Sequence, residues 1–540
     1  MSDHFGLDIS LCLRKTVEVH HSPPMAHDSY DEILYPTSIY PQTHINRLAT
    51  IGVLRGLSPA PIGRCRVLEI GCGTGSNILP MAFNLPESHF IGLDLAKRPI
   101  ATGQSIVAEL RLQNIELHSM DLCEADIERF GTFDFIIAHG VYSWVPARVR
   151  DRLLALCREL LTPNGIAYIS YNAYPGNHLR DLTRGIVRFH AERFEKPEDQ
   201  IGQARGLIKF LSESKPKADA YRTVLKAEFD RILNYLDAAF YHDDLSLTNQ
   251  PFYFHEFMKD ARKHNLRYLG DAVPHVLDPE QYAPEVYRTV EALQEEDEIV
   301  REQYLDFIRG QGFRETLICR AEVELALGPE SEQIVNLWVS CDAKPITSSE
   351  SRATKFQKPS GAEIETAHPI VERALRHLCA MWPVAIPFEE LLSHSTADDS
   401  GFQTVDESRS NLTTALLRGF HAMFVRLHVA APKVVNVIGE RPITSSLARY
   451  ELDHSAITSN QLHVPYRFPD PLSRDLIRLL DGTRDRTDLE QALLEVVLSG
   501  KSDLIENETK ITDRDEISAK IPRQVGESLQ SLIREAMIVG

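Results

Sequence analysis

Between residues 64 and 172 the spacing of apolar positions keeps changing. RCRVLEI (64–70), HFIGLDL (89–95), IELHSM (115–120), FDFIIAH (133–139) and GIAYISYN (165–172) are short apolar runs. Between them, SNILPMAFNL (76–85), RPIATGQSIVAELRLQN (98–114) and ARVRDRLLALCRELL (147–161) repeat apolar residues every three or four positions. Runs of the first kind predict buried strands, and repeats of the second predict helices. Strands separated by helices need right-handed crossovers, so the pattern predicts a doubly wound α/β domain whose mostly parallel sheet is covered on both faces.

After Tyr174-Pro175-Gly176 the strand period vanishes. Residues 178–250, with AYRTVLKAEFDRILNYLDAAFYHDDL at 220–245, read as two or three helices. FYFHEFMKDARKHNLRYL (252–269) then reads as helix plus strand and RETLICRAEV (314–323) as a further strand, so the helices form an insertion ahead of the last strands. Further on, PITSS occurs at 345–349 and again at 442–446, each copy followed by three helical segments, which predicts tandem winged-helix-like units. The expected division is a loose arm (1–25), an α/β core (26–177), the helical insertion (178–250), a segment with the last strands (251–323), an α+β middle domain (324–435) and a winged-helix-like C-terminal domain (436–540).

Composition narrows the class. The 540 residues carry 58 Lys and Arg against 77 Asp and Glu, a net charge of −19, which argues against a general polyanion binder. Residues 470–540 hold 15 acidic and 10 basic side chains, so the last unit is expected to dock protein and not nucleic acid. No run approaches the ~20 apolar residues of a membrane span, and MSDHFGLDISLCLRK lacks a basic leader, so a cytoplasmic protein is expected. The eight cysteines are scattered without C-x-x-C spacing, and no metal site is expected.

The chemistry starts at EIGCGTG (69–75). Gly71, Gly73 and Gly75 let the backbone turn and approach a ligand closely, in G-x-G-x-G spacing in place of the G-x-G-x-x-G of dinucleotide folds. Glu69 just before them repels a pyrophosphate and suits a cationic ligand such as S-adenosylmethionine. Asp94 ends the second strand, where a carboxylate can accept both ribose hydroxyls; that placement fits NAD equally well. Asp121 after the third strand, in reach of an adenine amine, favours the sulfonium ligand. On the acceptor side the fourth strand ends with His139, Tyr142 and Trp144, and the fifth with Tyr171, Asn172 and Tyr174. Tyr30, Tyr35, Tyr40 and His44 precede the first strand. Aromatic faces attract a sulfonium or ammonium.

VLEIGCGTG resembles the first motif of class I S-adenosylmethionine-dependent methyltransferases. Over nearly the whole chain, YPTSIYPQTHINRLATIGVLRG (35–56), AHGVYSWVP (138–146), SYNAYPG (170–176), FYFHEFMKDARKHNLRYL, FRETLICRA (313–321) and LDGTRDRTDLEQAL (480–493) resemble bacterial methyltransferases with a methyltransferase regulatory domain, notably rickettsial-type protein-lysine methyltransferases. The resemblance implies a Rossmann-like class I domain and S-adenosylmethionine as cofactor, with Glu69, Gly71, Gly73 and Gly75 on its methionine side, Asp94 at the ribose, and Asp121 with Leu122 at the adenine. His139 is expected beside the cofactor. Tyr142, Trp144 and Tyr174 are expected as catalytic acceptor-channel residues, with Tyr35, Tyr40, His44 and Asn172 binding substrate. The implied acceptor is a lysine of a protein, and the implied assembly a homodimer joined through the insertion. The alternatives are a small-molecule N- or O-methyltransferase and a cofactor-binding regulator without turnover.

Overall fold

The computed structural model describes residues 33, 35, 38–124, 126–213, 219–274, 282–346, 353–397, 404–455, 457–468, 470–506 and 509–540. The expected arm (1–25) and Tyr30 lie outside these residues.

Seven strands build the central sheet: β1 (Arg66–Ile70), β2 (His89–Asp94), β3 (Ile115–Ser119), β4 (Phe133–Ala138), β5 (Leu161–Asn172), β6 (Leu266–Asp271) and β7 (Phe313–Arg320). Their order is β3-β2-β1-β4-β5-β7-β6. The first five pair in parallel, while β7 runs antiparallel to both β5 and β6. The order reverses between β1 and β4, and such a switch point opens a ligand crevice at the carboxyl ends of the strands. β1 through β5 are almost wholly apolar because helices cover both faces. α1 (Ile45–Leu54), α2 (Ile78–Asn84) and α3 (Lys97–Glu109) join one core cluster with Val67, Phe135, Ile137 and Leu317. α4 (Ala147–Leu160) packs on the other face with Leu68, Ile136 and Ile169.

A helical insertion follows β5. α5 (Asn177–Ala191), α6 (Pro197–Glu213) and α7 (Ala220–Leu233) lie between β5 and β6 and share a small core of Val187, Ile201, Ala204, Ile208, Leu225 and Phe229. It ends in a π-turn, Tyr241–Leu245, and α8 (Phe254–Lys263) leads into β6. Two further helices, α9 (Pro284–Glu296) and α10 (Glu298–Arg309), connect β6 to β7.

The middle region has a three-stranded sheet through Trp338–Ser340, Ile386–Pro387 and Arg426–His428, with helices Pro369–Met381, Phe388–Thr396 and Val405–His421. It shares the core of α1, and Asn46 on α1 fixes it by donating to the Ala430 carbonyl (2.7 Å) and accepting from the Val429 N–H (2.9 Å). The C-terminal region has its own core around helices Ser446–His454, Pro471–Leu479, Arg486–Leu498 and Arg514–Arg534. No helix among the described residues is long and apolar enough to cross a membrane.

Candidate methyl-donor crevice and its acceptor mouth

The glycine loop leaves β1 with three left-handed turns: Gly71, Gly73 and Gly75 have φ of 75°, 56° and 75°. The backbone N–H groups of Gly71 and Cys72 donate to the Leu93 carbonyl (2.7 and 3.1 Å), tying the loop to the end of β2. A side chain on Gly71 would meet Val141 Cγ2 at 2.4 Å, whereas nothing lies within 4 Å of the corresponding position on Gly73. The loop therefore packs against the β4 end on one side and stays open at Gly73. Asp94 is fixed there, accepting from the Gly73 N–H (2.8 Å) and the Ala96 N–H (2.8 Å). Asp121 accepts from the Cys123 N–H (2.7 Å) in a tight turn, beside buried Leu122.

Beneath the loop Glu69 is buried, and its Oε1 accepts from Asn77 Nδ2 (2.7 Å). Asn77 is saturated: its other amide hydrogen goes to Thr43 Oγ1 (3.0 Å), while its Oδ1 accepts from the Tyr40 N–H (3.1 Å) and from His463 Nε2 (3.1 Å). The Thr43 hydroxyl donates in turn to the Tyr40 carbonyl (2.8 Å). Glu69 Oε2 has no hydrogen-bond partner. Burial, reinforced by Asp94, raises the Glu69 carboxyl to about 8. An orphaned carboxylate oxygen next to an open glycine loop fits a ligand that brings positive charge and N–H donors, as the sulfonium and α-amine of S-adenosylmethionine do. Asn77, Thr43 and His463 escaped the sequence reading, and His463 comes from a segment 394 residues beyond Glu69 (463 minus 69), a distance no local pattern spans.

The acceptor side gathers some expected residues and not others. Tyr40 packs against His139 with ring centroids 3.7 Å apart and planes tilted by 32°. His139 Nδ1 lies 2.9 Å from the Tyr168 hydroxyl, which donates to Glu315 Oε1 (2.9 Å). Burial lowers His139 to about 4, so its ring is neutral. Around the His139 ring lie Tyr40, Tyr168 and Phe313, with the Ser170 hydroxyl 3.4 Å from Nδ1. Tyr174 stacks on His178 (4.0 Å), and its hydroxyl donates to Asp181 Oδ2 (2.7 Å), which with burial pushes the phenol up. Trp144 is half-buried, with the Arg184 guanidinium 5.7 Å from its ring centre. Asn172 is buried and donates to Asn249 Oδ1 (2.8 Å). Tyr35 reaches Asp243 on the π-turn (3.3 Å), and His44 caps α1 by accepting from the Asn46 N–H (3.2 Å).

Tyr142 does not join the mouth. It is 1% exposed and packs against Phe252, Phe257 and Tyr171 on the α4 side of the sheet. The short helical turn Tyr142–Trp144 sends its ring inward, so its expected place in an acceptor channel is corrected to the aromatic core.

Three family models match: "Methyltransferase domain" over residues 68–167, "Predicted methyltransferase regulatory domain" over 237–320, and "PKMT, C-terminal winged helix domain" over 440–537. An uncharacterised protein of Rickettsia prowazekii (strain Madrid E) is 30% identical over 529 residues, covering 95% of this chain and 94% of that protein. The chain belongs to the S-adenosylmethionine-dependent methyltransferases that carry this regulatory domain. A second uncharacterised protein of Rickettsia prowazekii (strain Madrid E) is 38% identical over 242 residues, 45% of this chain and 96% of its own length. Among solved structures, PKMT2 from Rickettsia typhi in complex with AdoHcy is 28% identical with a TM-score of 0.84, covering 94% of this chain and all of that one. The doubly wound methyltransferase core and the winged-helix C-terminal unit thus stand as the sequence pattern placed them. Methyl transfer from S-adenosylmethionine is the activity of this methyltransferase family.

Proposed function

We propose that this methyltransferase acts on lysine side-chain amines of a protein substrate. The observation that carries the reading is the likeness to PKMT2, which extends over 94% of this chain and all of that one and takes in the regions outside the catalytic sheet. An aromatic acceptor mouth supports it, because rings attract a sulfonium or an alkylammonium by roughly 0.5 to 2 kcal/mol each.

S-adenosylmethionine supplies a methyl carbon made electrophilic by its sulfonium. Glu69 and the Gly71, Gly73 and Gly75 backbone would hold its methionine part, Asp94 its ribose, and Asp121 with Leu122 its adenine. Trp144 and Tyr174, with Asn172, Tyr35, Tyr40 and His44 behind them, would line the acceptor path. A lysine amine, with an ordinary pKa near ~10.4, must shed a proton before its lone pair can attack in line with the departing sulfur. Most of the remaining acceleration then comes from holding the two reactants aligned.

A homodimer joined through the insertion is part of the same proposal. Leu179, Leu182 and Phe189 recur at three and seven positions along α5 as one exposed apolar stripe, and Phe189 is 70% exposed. The units 178–250, 324–435 and 436–540 would serve assembly and substrate docking. The test is to incubate the protein with methyl-tritiated S-adenosylmethionine and a lysate of its own source. Label recovered as methyl-lysine after acid hydrolysis supports the reading; label confined to small solutes overturns it. Trp144→Ala and Tyr174→Phe should each lower turnover, and wild-type turnover in both would refute their place in the acceptor path.

A further inference from the structure

Three side chains lead from the carboxyl end of β4 into the sheet. His139 follows the last residue of β4, at the switch point where the crevice opens, and its half-buried ring lies under Tyr40. Tyr168 is fully buried on β5, and Glu315 lies on β7, which pairs with β5 in antiparallel register. The links are 2.9 Å from His139 Nδ1 to the Tyr168 oxygen and 2.9 Å from the Tyr168 oxygen to Glu315 Oε1.

We propose that His139, Tyr168 and Glu315 form a proton relay that carries the acceptor's proton from the mouth into the interior of the sheet. The direction follows with Glu315 ionised. The single Tyr168 proton then goes to the Glu315 carboxylate and the Tyr168 oxygen accepts from His139 Nδ1–H, with the Ser170 hydroxyl 3.4 Å from the same nitrogen. That tautomer leaves Nε2 as the nitrogen with a lone pair. The proposal rests on reading the acceptor as a protonated amine. The ammonium gives a proton to His139 Nε2 while Nδ1–H passes to Tyr168 and the Tyr168 proton passes to Glu315. The ammonium becomes a neutral amine and the carboxylate a neutral acid, with His139 and Tyr168 unchanged in charge. The amine lone pair then forms the new N–C bond, and the electrons of the S–C bond remain on sulfur.

The surroundings suit such a path. A cationic imidazole is disfavoured here, since burial holds His139 near 4, and a concerted relay leaves none behind. Burial also raises Glu315, so it keeps a proton more readily than an ordinary glutamate. The groups facing the relay are Tyr40 and Gln42 from the segment before α1, Arg47 on α1, Ser170 on β5, Asp271 on β6, and Glu69 and Asp243 through Tyr40. Arg47 works against Glu315 protonation and Asp271 for it. Sequence reading missed Tyr168 and Glu315 because both sit inside apolar strand runs, where a polar residue reads as a break in the pattern.

The test compares Glu315→Gln, Tyr168→Phe and His139→Asn with the wild type. Transfer of tritiated methyl is followed on poly-L-lysine and, in a parallel arm, on a catechol, whose hydroxyl also sheds a proton. Transfer to the catechol alone would remove the lysine reading while leaving the relay measurable. General-base catalysis contributes about 10²–10⁴-fold, so kcat should fall at least about a hundredfold in all three variants. Calorimetry should show their Kd for S-adenosylmethionine unchanged within about twofold. Because only ionised Glu315 can receive the proton, wild-type kcat should rise with pH through the Glu315 pKa, and Glu315→Gln should erase that limb. Wild-type kcat and pH profile in Glu315→Gln, or a His139→Asn defect confined to cofactor affinity, would overturn the relay.

Discussion

At the scale of single residues, Glu69 decides how this crevice meets its ligand. Its folded pKa of about 8 lies well above the ordinary glutamate range near 4.5 because the buried carboxylate has lost water and kept one amide donor. A raised carboxyl stabilises the fold below its unfolded pKa and ceases to do so as pH climbs through the folded value. The ligand-free protein should therefore lose stability between pH 4.5 and 8. A cation and an N–H donor at Oε2 reverse the preference, so binding S-adenosylmethionine near pH 7 should expel a proton. Titration calorimetry in buffers of different ionisation enthalpy should detect about one proton released, with affinity rising toward pH 8. In Glu69→Gln the buffer dependence should vanish, and Kd should rise about 10- to 100-fold for a lost charge-assisted bond of roughly 1.5–3 kcal/mol. A buffer-independent enthalpy in the wild type would contradict this account. Burial also separates His139 from Tyr142, two residues three positions apart: the first is half-buried against Tyr40 at the end of β4, and the following turn buries the second.

At the scale of elements, close packing of α3 on the glycine loop is a second control. A side-chain carbon on Gly103 would lie 2.3 Å from the Thr74 carbonyl oxygen and 2.5 Å from Leu117 Cδ1. Gly103→Ala gains about 1 kcal/mol of helix propensity and loses roughly 1–3 kcal/mol through overpacking. The net outcome should be a lower thermal midpoint with weaker S-adenosylmethionine binding, because the helix must shift off the loop; unchanged binding would show that loop and helix move independently. On the opposite edge Arg314 of β7 is fully buried among Asp271, Glu302 and Asp306, pinning β6 and α10 together. Removing one partner of a buried ion pair costs about 3–5 kcal/mol, and Arg314→Met strands three carboxylates. Burial already raises Asp306 to about 6 in the wild type, so its contribution to stability declines as pH rises through that value. Urea unfolding of Arg314→Met should show its largest deficit above pH 6 and a smaller one near pH 4.5, where protonation of Asp306 relieves part of the stranded charge. A pH-independent deficit would mean that packing alone is lost.

How much of these elements could be read in advance follows from range. The five parallel strands and the insertion were legible because runs of apolar residues are local, and the glycine loop because three glycines in five residues restrict what a backbone can do. The acids at the strand ends followed from the sheet's topology. The helices between β6 and β7 were passed over within the 251–323 segment. Which aromatic rings turn inward was illegible, since Tyr142 just after β4 and Tyr171 near the end of β5 belong to the same aromatic-rich stretches as Trp144 and Tyr174, and only packing distinguishes them. Partnerships across hundreds of residues, such as Arg55 with Glu298 (Nη2 to Oε2, 3.1 Å), leave no local trace.

At the scale of the whole molecule, His463 is the partnership with the widest consequence, since it joins the C-terminal unit to the donor crevice. It sits in a left-handed turn (φ 57°) between the paired strands Thr458–Ser459 and Pro465–Tyr466, buried against His44. Burial holds its pKa well below 6.5, so it is a neutral donor to Asn77, and Asn77 in turn aims Glu69. Removing His463 leaves Asn77 Oδ1 with the Tyr40 N–H (3.1 Å) and the Thr43 hydroxyl (3.1 Å), at a cost near 1 kcal/mol for the lost neutral hydrogen bond. In His463→Ala the Kd for S-adenosylmethionine should therefore rise about fivefold. In His463→Gln, whose amide N–H can take the same place, most of that loss should be recovered. The bond removed is a single neutral hydrogen bond beneath the glycine loop, so urea unfolding of the methyltransferase core should change less than the affinity. If His463→Ala binds the cofactor as tightly as the wild type, the C-terminal unit reports nothing to the crevice. If affinity falls and glutamine restores it, the winged-helix unit is part of the donor site, and a partner that displaces this turn would control methyl transfer through Asn77.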